Sequence, residues 1–364
     1  MEIQEYFKKK KAFYNALLNF IDSGEFQNED EFNKLTVLIK SHEIEPVISL
    51  ILNIANNHHR KEGFFNKIEN ILLNLEKDIK ERYSNQELFD IFINNKRILL
   101  FFINKKIISI DDYVKKMLLS MLEKNGTQYC HFFLSEIKGI TDEETFKKIE
   151  DQLTEQERKN YEEKRLKGEN DTYICEMIRN DSIDEFVEYM TRANISLSSQ
   201  IEESIFETNA FLNENNPTLI EYAAFYGSIQ IFNYLRMNEV ELTPSLWLFV
   251  IHSKNEEIIY ILENEKVDPP NKTFETCLNE SIKCHHNEIA DYIINNLIED
   301  SRKIKKNTES FVEISFKYYN YEYYPEEMNE NFLFFYLAQY NYEYIVDRWL
   351  LNKMEELEEK AKQI

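Results

Sequence analysis

The pattern that decides the fold is LIEYAAFYGSIQIFNYL, residues 219–235, because the chain repeats it twice downstream. The second copy is WLFVIHSKNEEIIYIL, residues 247–262, and the third is LNESIKCHHNEIADYII, residues 278–294. Equivalent isoleucines in the three copies are 27 and 31 positions apart. A unit of about 30 residues is one helical hairpin, which cannot bury its apolar face without neighbours. The repetition therefore predicts a solenoid of stacked hairpins that presents a binding surface.

Composition favours helices throughout the chain. Glycine and proline number only 6 each among 364 residues, whereas their average usage is about 7% and 5%. With so few turn formers, a fold that needs many tight β-hairpins is disfavoured. Leu, Ile, Glu and Lys are abundant, and these residues favour helix. We therefore expect an all-α fold.

The chain is strongly acidic, with a formal net charge of −23 at pH 7. Such a surface repels the phosphate backbone of nucleic acids and the headgroups of anionic membranes. We therefore expect a protein partner, of unknown identity, with no nucleic acid and no membrane insertion. One basic run, Lys8 to Lys11, departs from this trend. It fits the solvated face of the first helix or, alternatively, a contact with a membrane or an acidic partner.

Several features favour a cytoplasmic location. The first residues, MEIQE, lack the charged-then-apolar order of a secretion signal. The longest strongly apolar run, residues 98–103, is far shorter than the about 20 residues that span a bilayer. The cysteines Cys130, Cys175, Cys277 and Cys284 show no disulfide framework, which suits a reducing compartment.

A few residues predict the helix boundaries of the repeats. Asn216-Pro217 and Thr243-Pro244 fit helix starts, because Asn or Thr can cap the free amides and the missing N–H of proline costs nothing there. Gly227 fits the turn between two helices, where we expect a positive φ. Asn tolerates this conformation too, and the equivalent turns are Lys254-Asn255, His285-His286-Asn287 and Asn341.

The first copy resembles a known repeat. Residues 218–227, TLIEYAAFYG, look like the ankyrin pattern Thr-Pro-Leu-His-x-Ala-Ala-x-x-Gly. Residues 231–235, IFNYL, stand in place of the aliphatic second helix of that repeat. The resemblance implies an ankyrin solenoid with no assigned catalytic activity.

A narrower resemblance covers most of the chain. Residues 219–227, 246–248 and 282–287 resemble a large protist-type family of ankyrin-repeat proteins. Members of that family join such repeats to a helical amino-terminal half. Segments 56–60 and 95–101 of this chain are similar to that half.

We expect four parts along the chain. Residues 1–140 form a helical amino-terminal region, with a degenerate repeat near 85–107, where a short helix, a polar break and an apolar helix follow one another. Residues 141–169 form a charged helical connector, and residues 170–353 form the ankyrin-like repeats. Residues 354–364 form a charged tail that shields the end of the stack, as terminal repeats must.

The candidates for chemistry are weak. The run Cys284-His285-His286 lacks the C-x2–4-C or H-x3–5-H spacing of zinc sites, so we assign no metal. Cys130 and His131 could form a nucleophile pair, but no orienting third group or oxyanion signature accompanies them. Glycines are scattered singly, so no phosphate-binding loop is present. We expect no enzymatic activity, no catalytic residue and no cofactor.

Tyrosines cluster toward the carboxyl end of the chain. Tyr336, Tyr340 and Tyr344 recur at helical spacing, and the stretch YYNYEYY, residues 318–324, precedes them. These rings either fill the last layers of the core or form a binding hot spot, because a ring gives a large contact area with few rotors. Phosphorylation of these tyrosines is a further alternative.

If the repeats are ankyrin-like, the resemblance places partner contacts on the outward positions of the first helices. Phe225 and Tyr226 would then need a partner to cover them, unless they pack against the preceding unit. The expected contact residues are Glu221, Phe225, Tyr226, Leu248, His252, Ser253, Asn279, Lys283, Phe335, Gln339 and Tyr340.

The expected function is a noncatalytic scaffold or adaptor for protein–protein interaction. Aromatic anchors would provide affinity, and acidic charge would set selectivity and the association rate. The alternative is a structural protein that is permanently bound in a cytoskeletal or other large assembly. An adaptor would be a monomer with a modest interface, whereas a structural component would co-purify with its partners through high salt.

Overall fold

The computed structural model describes residues 3–23, 29–61, 63–124, 127–298, 309–324 and 330–340, together with positions 342, 346, 347, 349–351, 353 and 354. Within this part of the chain, the only strand-like pairing is one antiparallel bridge between Gln200 and Thr218. All other regular structure in these residues is helical. The expected all-α fold class is therefore confirmed for the described residues.

The chain is built from helices joined by short turns. The helices are α1 (Ile3–Asp22), α2 (Glu29–Lys40), α3 (Ile44–Asn57), α4 (Phe64–Asn74), α5 (Glu76–Arg82), α6 (Asn85–Phe92), α7 (Lys96–Asn104), α8 (Asp112–Lys124), α9 (Thr127–Phe132), α10 (Leu134–Ile137), α11 (Glu143–Glu150), α12 (Glu155–Arg158), α13 (Tyr161–Lys167), α14 (Tyr173–Arg179), α15 (Ile183–Ala193), α16 (Ala210–Asn215), α17 (Leu219–Tyr226), α18 (Ile229–Met237), α19 (Leu246–Ser253), α20 (Glu256–Asn264), α21 (Glu275–Lys283), α22 (Asn287–Tyr292), α23 (Glu309–Lys317) and α24 (Glu330–Gln339). Single 3-10 turns lie at Pro270–Lys272 and Tyr321–Tyr323, and a π-helical turn, Ile293–Leu297, extends α22.

The chain forms two compact units that differ from the linear division expected from the sequence. Unit 1 comprises Met1–Ile54, Arg60–Lys67 and Thr273–Ile364, and unit 2 comprises Ala55–His59 and Ile68–Lys272. The segment expected to hold all the ankyrin-like repeats is thus divided between the two units. Contacts between residues far apart in the chain define these units, and the order of segments in a sequence does not reveal such contacts.

Three helical hairpins pack together in unit 2, namely α14–α15, α17–α18 and α19–α20. Helix α17 packs against both α14 and α19, and α15 packs against α18. Ile231 and Ile258, equivalent residues of α18 and α20, are fully buried. Burial of such a side chain contributes about 1.5–3 kcal/mol. Each hairpin therefore completes the core of its neighbour, as the periodic apolar residues require.

A further helix pair, α6 and α7, lies where the sequence predicts a degenerate repeat. The Ser84 hydroxyl caps α6 and forms a capping box with Glu87. The Asn95 side chain accepts a hydrogen bond from the Ile98 amide at the start of α7. Both caps satisfy amides that a helix start leaves without partners. The membership of this pair in the repeat series stays a prediction.

The turn between the two helices of a hairpin has a residue in the left-handed region at Asp181, Gly227, Lys254 and His285, with φ of 49°, 72°, 56° and 59°. The expected positive φ at Gly227 is confirmed. At the next two turns Lys254 and His285 adopt this conformation, and the Asn residues that follow them do not. The amide of the following residue donates a hydrogen bond to the carbonyl five residues earlier, as in a Schellman motif. These bonds run from Ser182 to Met177, from Ser228 to Ala223 and from His286 to Ser281.

The two expected proline-containing helix starts are wrong. Asn216 ends α16 with a φ of 43°, and Thr218 caps α17 through a capping box with Glu221. Thr243 belongs to a turn ahead of α19, because its carbonyl accepts a hydrogen bond from the Leu246 amide, which begins the helix. Pro217 directly precedes the capping residue Thr218, and Pro244 lies within the turn that precedes α19.

Hydrogen bonds join the turns of neighbouring hairpins in unit 2. The Asp181 carboxylate accepts from the amides of Gln230 and Ile231, both at 3.0 Å, and so caps the start of α18. The Asn255 side-chain amide donates to the Gly227 carbonyl at 3.1 Å. A carboxylate is favourable at a helix N-terminus, where the amides carry partial positive charge. These contacts fix the register of each hairpin against the next.

Helix α1 packs within unit 1 against residues from the carboxyl end of the chain. The Phe7 ring meets the rings of Phe316 and Tyr324 with centroids 6.0 and 4.7 Å apart. Lys11 forms an ion pair with Glu322 at 2.9 Å. An amino-terminal helix thus covers apolar side chains near the carboxyl end of the described residues, whereas the sequence predicts that the charged tail 354–364 shields the end of the stack. Beyond Met354, that tail lies outside the described residues.

The basic run at Lys8 to Lys11 is only partly a solvated face. Lys8 and Lys9 are exposed. Lys10 is 2% exposed, and its ammonium lies 2.6 Å from the Glu43 carboxylate. Burial lowers the pKa of Lys10, whereas the hydrogen bond with Glu43 raises it. The expectation of a uniformly solvated run is therefore wrong for Lys10, which is buried against its carboxylate partner.

Candidate functional site

The first expected contact residue, Glu221, stabilises the fold of unit 2 through hydrogen bonds. Its side chain is 8% exposed. One carboxylate oxygen accepts from the Thr218 amide at 2.8 Å, and the other accepts from the Ser245 hydroxyl at 2.5 Å. Glu221 therefore caps its own helix and also holds the residue before the next first helix. These hydrogen bonds occupy both oxygens of the carboxylate.

The expected aromatic anchor on α17 is covered by the chain itself. Phe211 of α16 stacks on Phe225 with ring centroids 6.0 Å apart, and it lies 4.2 Å from the His252 ring. Phe225 is 4% exposed and His252 is 1% exposed. The structure therefore favours the alternative in which Phe225 packs in the core. The segment before α17 occupies the face that the resemblance assigns to a partner.

The other expected contacts in unit 2 are half-buried. The Tyr226 ring lies 5.9 Å from the guanidinium carbon of Arg179. The Ser253 hydroxyl donates to the Val250 carbonyl at 3.0 Å, within the same helix. Leu248 is also half-buried. Of the contact residues predicted in this unit, the structure brings together Phe225, Tyr226 and His252 around aromatic packing.

Two expected contacts lie on α21 in unit 1. Asn279 and Lys283 are half-buried, and the Lys283 ammonium lies 3.1 Å from the Glu280 carboxylate one turn earlier. Burial is the largest influence on the Lys283 pKa and lowers it, but the charge of Glu280 raises it enough that the pKa is raised overall. Lys283 therefore carries its charge at neutral pH, already paired with an acid.

The last three expected contacts lie at the end of α24. Phe335 is 60% exposed, and Gln339 is also exposed. The Tyr340 hydroxyl donates to the Glu313 carboxylate at 2.6 Å. Phe335 is the member of the predicted set that offers a large exposed apolar surface.

Three tyrosines of the carboxyl-terminal cluster, Tyr319, Tyr321 and Tyr336, fill the core of unit 1 together with the nearby Tyr342. Tyr319, Tyr321, Tyr336 and Tyr342 are each at most 5% exposed. The Tyr319 hydroxyl donates to the Tyr340 carbonyl at 2.8 Å, which satisfies its polar end inside the core. The structure favours the core alternative for these rings. Tyr344 lies outside the described residues.

The cysteines offer no activated nucleophile among the described residues. All four are buried. Burial raises the pKa of Cys130 to about 12 and that of Cys175 to about 11. The Cys130 thiol donates to the Leu118 carbonyl, and a ring nitrogen of His131 lies 3.1 Å from the Ile149 carbonyl. Each side chain of this pair thus bonds to backbone, and a protonated thiol is a poor nucleophile.

A polar cleft of about 480 Å³ opens beside α13 and α14 in unit 2. The charged side chains that line the cleft form ion pairs with one another. Lys164 lies 2.7 Å from Asp171, and Arg179 lies 3.1 Å from Glu169. Glu176 also lines the cleft. Because opposite charges alternate around it, the cleft suits a polar or zwitterionic segment better than an anion.

The hairpins of unit 2 expose residues that the sequence analysis did not single out. Tyr173, Met237 and Tyr260 are 48%, 74% and 65% exposed. In α20, helical spacing places Tyr260 away from the buried residues Ile258 and Leu262. This spacing could have predicted the exposure of Tyr260 from the sequence, because an aromatic residue outside the apolar stripe of a helix faces solvent. The second helices, which carry Met237 and Tyr260, leave part of their surface open.

Comparisons with known proteins add no relative. No family model, no curated protein and no solved structure matches this chain. The resemblance to ankyrin-repeat proteins therefore stays a prediction from the sequence. Among the described residues, no helix is both long and apolar enough to cross a membrane.

Proposed function

We propose that this chain is a noncatalytic scaffold or adaptor for protein–protein interaction, built on ankyrin-like helical hairpins and acting in the cytoplasm. The observation that carries the proposal is the repeated contact of hairpins in unit 2. There, Asp181 caps the next hairpin, and Asn255 bonds to the preceding turn at Gly227. A series of similar hairpins creates an extended surface, and repeat proteins use such surfaces to bind partners.

The partner surface would lie on the second helices. Phe211 already covers Phe225 and His252 on the first helices, so a partner that used that face would have to displace α16. Met237 and Tyr260 are open instead. Exposed aromatic and methionine side chains are frequent at interfaces. The net charge of −23 would repel acidic partners and steer basic ones.

The second candidate is a structural protein held permanently in a large assembly. One observation favours it. Phe335, Leu350, Leu351 and Met354 are exposed by 60%, 43%, 60% and 59%. Several exposed apolar residues near one end of a chain favour a surface that another subunit covers.

Affinity capture of the tagged full chain, followed by washes of rising salt and mass spectrometry, separates the two candidates. An adaptor should release its partners as salt screens the contacts between charged surfaces. A structural component should retain its partners through about 1 M salt. At that ionic strength the Debye length is only about 3 Å, so contacts between charged surfaces are screened. Substituting Met237 and Tyr260 by Ser should abolish capture by an adaptor and leave helicity intact. Capture that survives this double variant would contradict the proposed surface, and a free chain with no specific partner would contradict both functions.

A further inference from the structure

Two tyrosines form an exposed pair on the hairpin α14–α15. The rings of Tyr173 and Tyr189 meet edge to face, with centroids 5.2 Å apart and an interplanar angle of 78°. Tyr173 is 48% exposed and Tyr189 is half-buried. Part of the exposed Tyr173 side chain is therefore open to solvent, and the face of an aromatic ring carries the negative end of its quadrupole. The pair therefore presents a surface that attracts cations.

Two carboxylates, those of Glu185 and Glu176, act on Tyr173. A Glu185 carboxylate oxygen lies 3.5 Å from the Tyr173 hydroxyl, and both Glu176 and Glu185 are exposed. The pKa of Tyr173 is raised, chiefly by the charge of Glu185 and further by that of Glu176, while Arg192 lowers it. Two acids and one base therefore act on Tyr173, and the effect of the acids is the larger.

Unit 2 contains an internal example in which a tyrosine ring and carboxylates bind an arginine side chain. The guanidinium of Arg165 lies 5.0 Å from the Tyr161 ring centroid, and it forms ion pairs of 2.6 and 2.5 Å with Glu136 and Glu162. Arg165 is 2% exposed. One tyrosine ring and two carboxylates thus contact a buried arginine inside unit 2.

A second internal example follows the same chemistry. The guanidinium of Arg179 lies 5.9 Å from the Tyr226 ring, donates to the Tyr222 hydroxyl at 2.8 Å and pairs with Glu169 at 3.1 Å. Both internal cages combine a tyrosine ring with at least one carboxylate. Tyr173, Tyr189 and Glu185 offer that combination at the surface.

We propose that Tyr173, Tyr189 and Glu185, with Glu176 at the edge, bind an arginine side chain of a partner protein. This inference rests on the proposed function, because it names the chemistry of the partner. The planar guanidinium would stack on the open ring face and direct its N–H groups at the Glu185 carboxylate. Glu176 also lines the polar cleft, so a partner segment that places its arginine on the tyrosines could continue into that cleft.

This geometry selects arginine over lysine. A guanidinium is planar, stacks on aromatic rings and presents its donors as a fork, whereas an ammonium is a compact and strongly hydrated charge. A ring and a carboxylate side by side use both properties of the guanidinium. Methylation of the arginine would keep its charge and block part of the fork.

The test is fluorescence anisotropy of the full chain with three labelled peptides that alternate glycine with arginine, lysine or citrulline. We expect the arginine peptide to bind about fivefold more tightly than the lysine peptide, and the citrulline peptide to bind most weakly. Tyr173→Ser should weaken binding of the arginine peptide about fivefold, because it removes the stacking ring. Tyr173→Phe should retain binding, since the ring remains. Arg192→Gln should tighten binding, since a like charge is removed.

The matched control is Leu166→Ser, which removes a side chain of unit 2 that is as exposed as Tyr173, at 48%, and leaves the net charge unchanged. Binding of the arginine peptide should be unchanged in this variant. Equal affinity for the arginine and lysine peptides, or equal weakening by Leu166→Ser and Tyr173→Ser, would overturn the arginine site. Circular dichroism of each variant separates loss of binding from loss of fold.

The failure of this site and the failure of the scaffold function are distinguishable. If wild-type and Tyr173→Ser chains capture the same partners equally well, the scaffold function stands and the arginine site is refuted. If the arginine peptide binds with the expected selectivity while the chain captures no specific partner, the site stands and the scaffold function is refuted.

Discussion

The hydroxyl of Tyr14 lies 3.1 Å from Nδ1 of His285, although the two residues are 271 positions apart in the chain. The same hydroxyl donates to Oδ1 of Asn320 and accepts from Nδ2 of Asn287, both at 3.1 Å. Asn320 in turn donates to the Ile282 carbonyl at 2.9 Å. One buried phenol thus joins α1 to two turns of unit 1.

Tyr14→Phe should destabilise unit 1. The change removes a hydroxyl from a buried network and leaves His285, Asn287 and Asn320 each short of one partner, which costs about 1–3 kcal/mol. Hydrogen exchange of the α1 amides in the full chain measures this loss without assuming that both units unfold together. Tyr318→Phe is the control, because Tyr318 is half-buried in the same unit. Equal protection of α1 in wild type and Tyr14→Phe would contradict the role of the network.

Lys254→Gly and Gly227→Ala should shift stability in opposite directions. Lys254 has a φ of 56°, so glycine relieves strain and should stabilise unit 2 by about 0.5–1 kcal/mol after its larger unfolded-state entropy is counted. At Gly227, with a φ of 72°, an added Cβ would lie 3.2 Å from Nδ2 of Asn255. Alanine there should destabilise by about 1–2 kcal/mol. Urea unfolding measures both changes, and shifts of the same sign would disprove the shared turn conformation.

Asp181→Ala should loosen the junction between the first two hairpins of unit 2. The change removes the acceptor of the Gln230 and Ile231 amides, and loss of such a cap costs about 1 kcal/mol. Asp181→Asn keeps an oxygen acceptor and tolerates the φ of 49°, so it should cost less. Glu188→Ala, at an exposed position in the middle of α15, is the control and should be close to neutral. Hydrogen exchange at the start of α18 is the measurement.

Acid should weaken unit 2 partly through His131. Burial lowers the pKa of this imidazole below its usual 6.5, so between the two pKa values the unfolded state binds more protons than the folded state. The free energy of unfolding therefore rises with pH through that window and is lost as the pH falls below 6.5. His131→Gln should flatten this dependence, and the difference between variant and wild type should be constant above pH 7.5, about one unit above the usual histidine pKa. A difference that keeps changing above this pH would point to another group.

The sequence predicted the local parts of this fold well. The spacing of Ile231 and Ile258 predicted the second helices, and Gly227 predicted the turn, because periodicity and backbone preference act over a few residues. The left-handed residues at Lys254 and His285 were harder to predict. Neither residue type prefers that conformation, and the packing of the hairpin imposes it.

The long-range parts could not be read from the pattern. Phe211 lies in a connection without clear periodicity, and nothing local states that its ring covers Phe225. Lys10 belongs to a run of four identical charges, and only Glu43 distinguishes it from its neighbours. The exposed pair Tyr173 and Tyr189 depends on contact between two helices. In each case a partner distant along the chain decides the environment.

Unit 1 is formed by segments that lie far apart in the chain, and this affects its folding during synthesis. Met1–Ile54 packs with Thr273–Ile364, so the first helix leaves the ribosome before the residues that hold Tyr14 exist. The roughly 200 residues in between take about 10–40 s to make at ~5–20 residues per second. During that interval the α1 side chains that meet the carboxyl-terminal segment, such as Phe7 and Tyr14, lack these contacts and are open to chaperones. All segments of unit 2 are made before residue 273, so unit 2 can complete its core while Met1–Ile54 still lacks its carboxyl-terminal contacts.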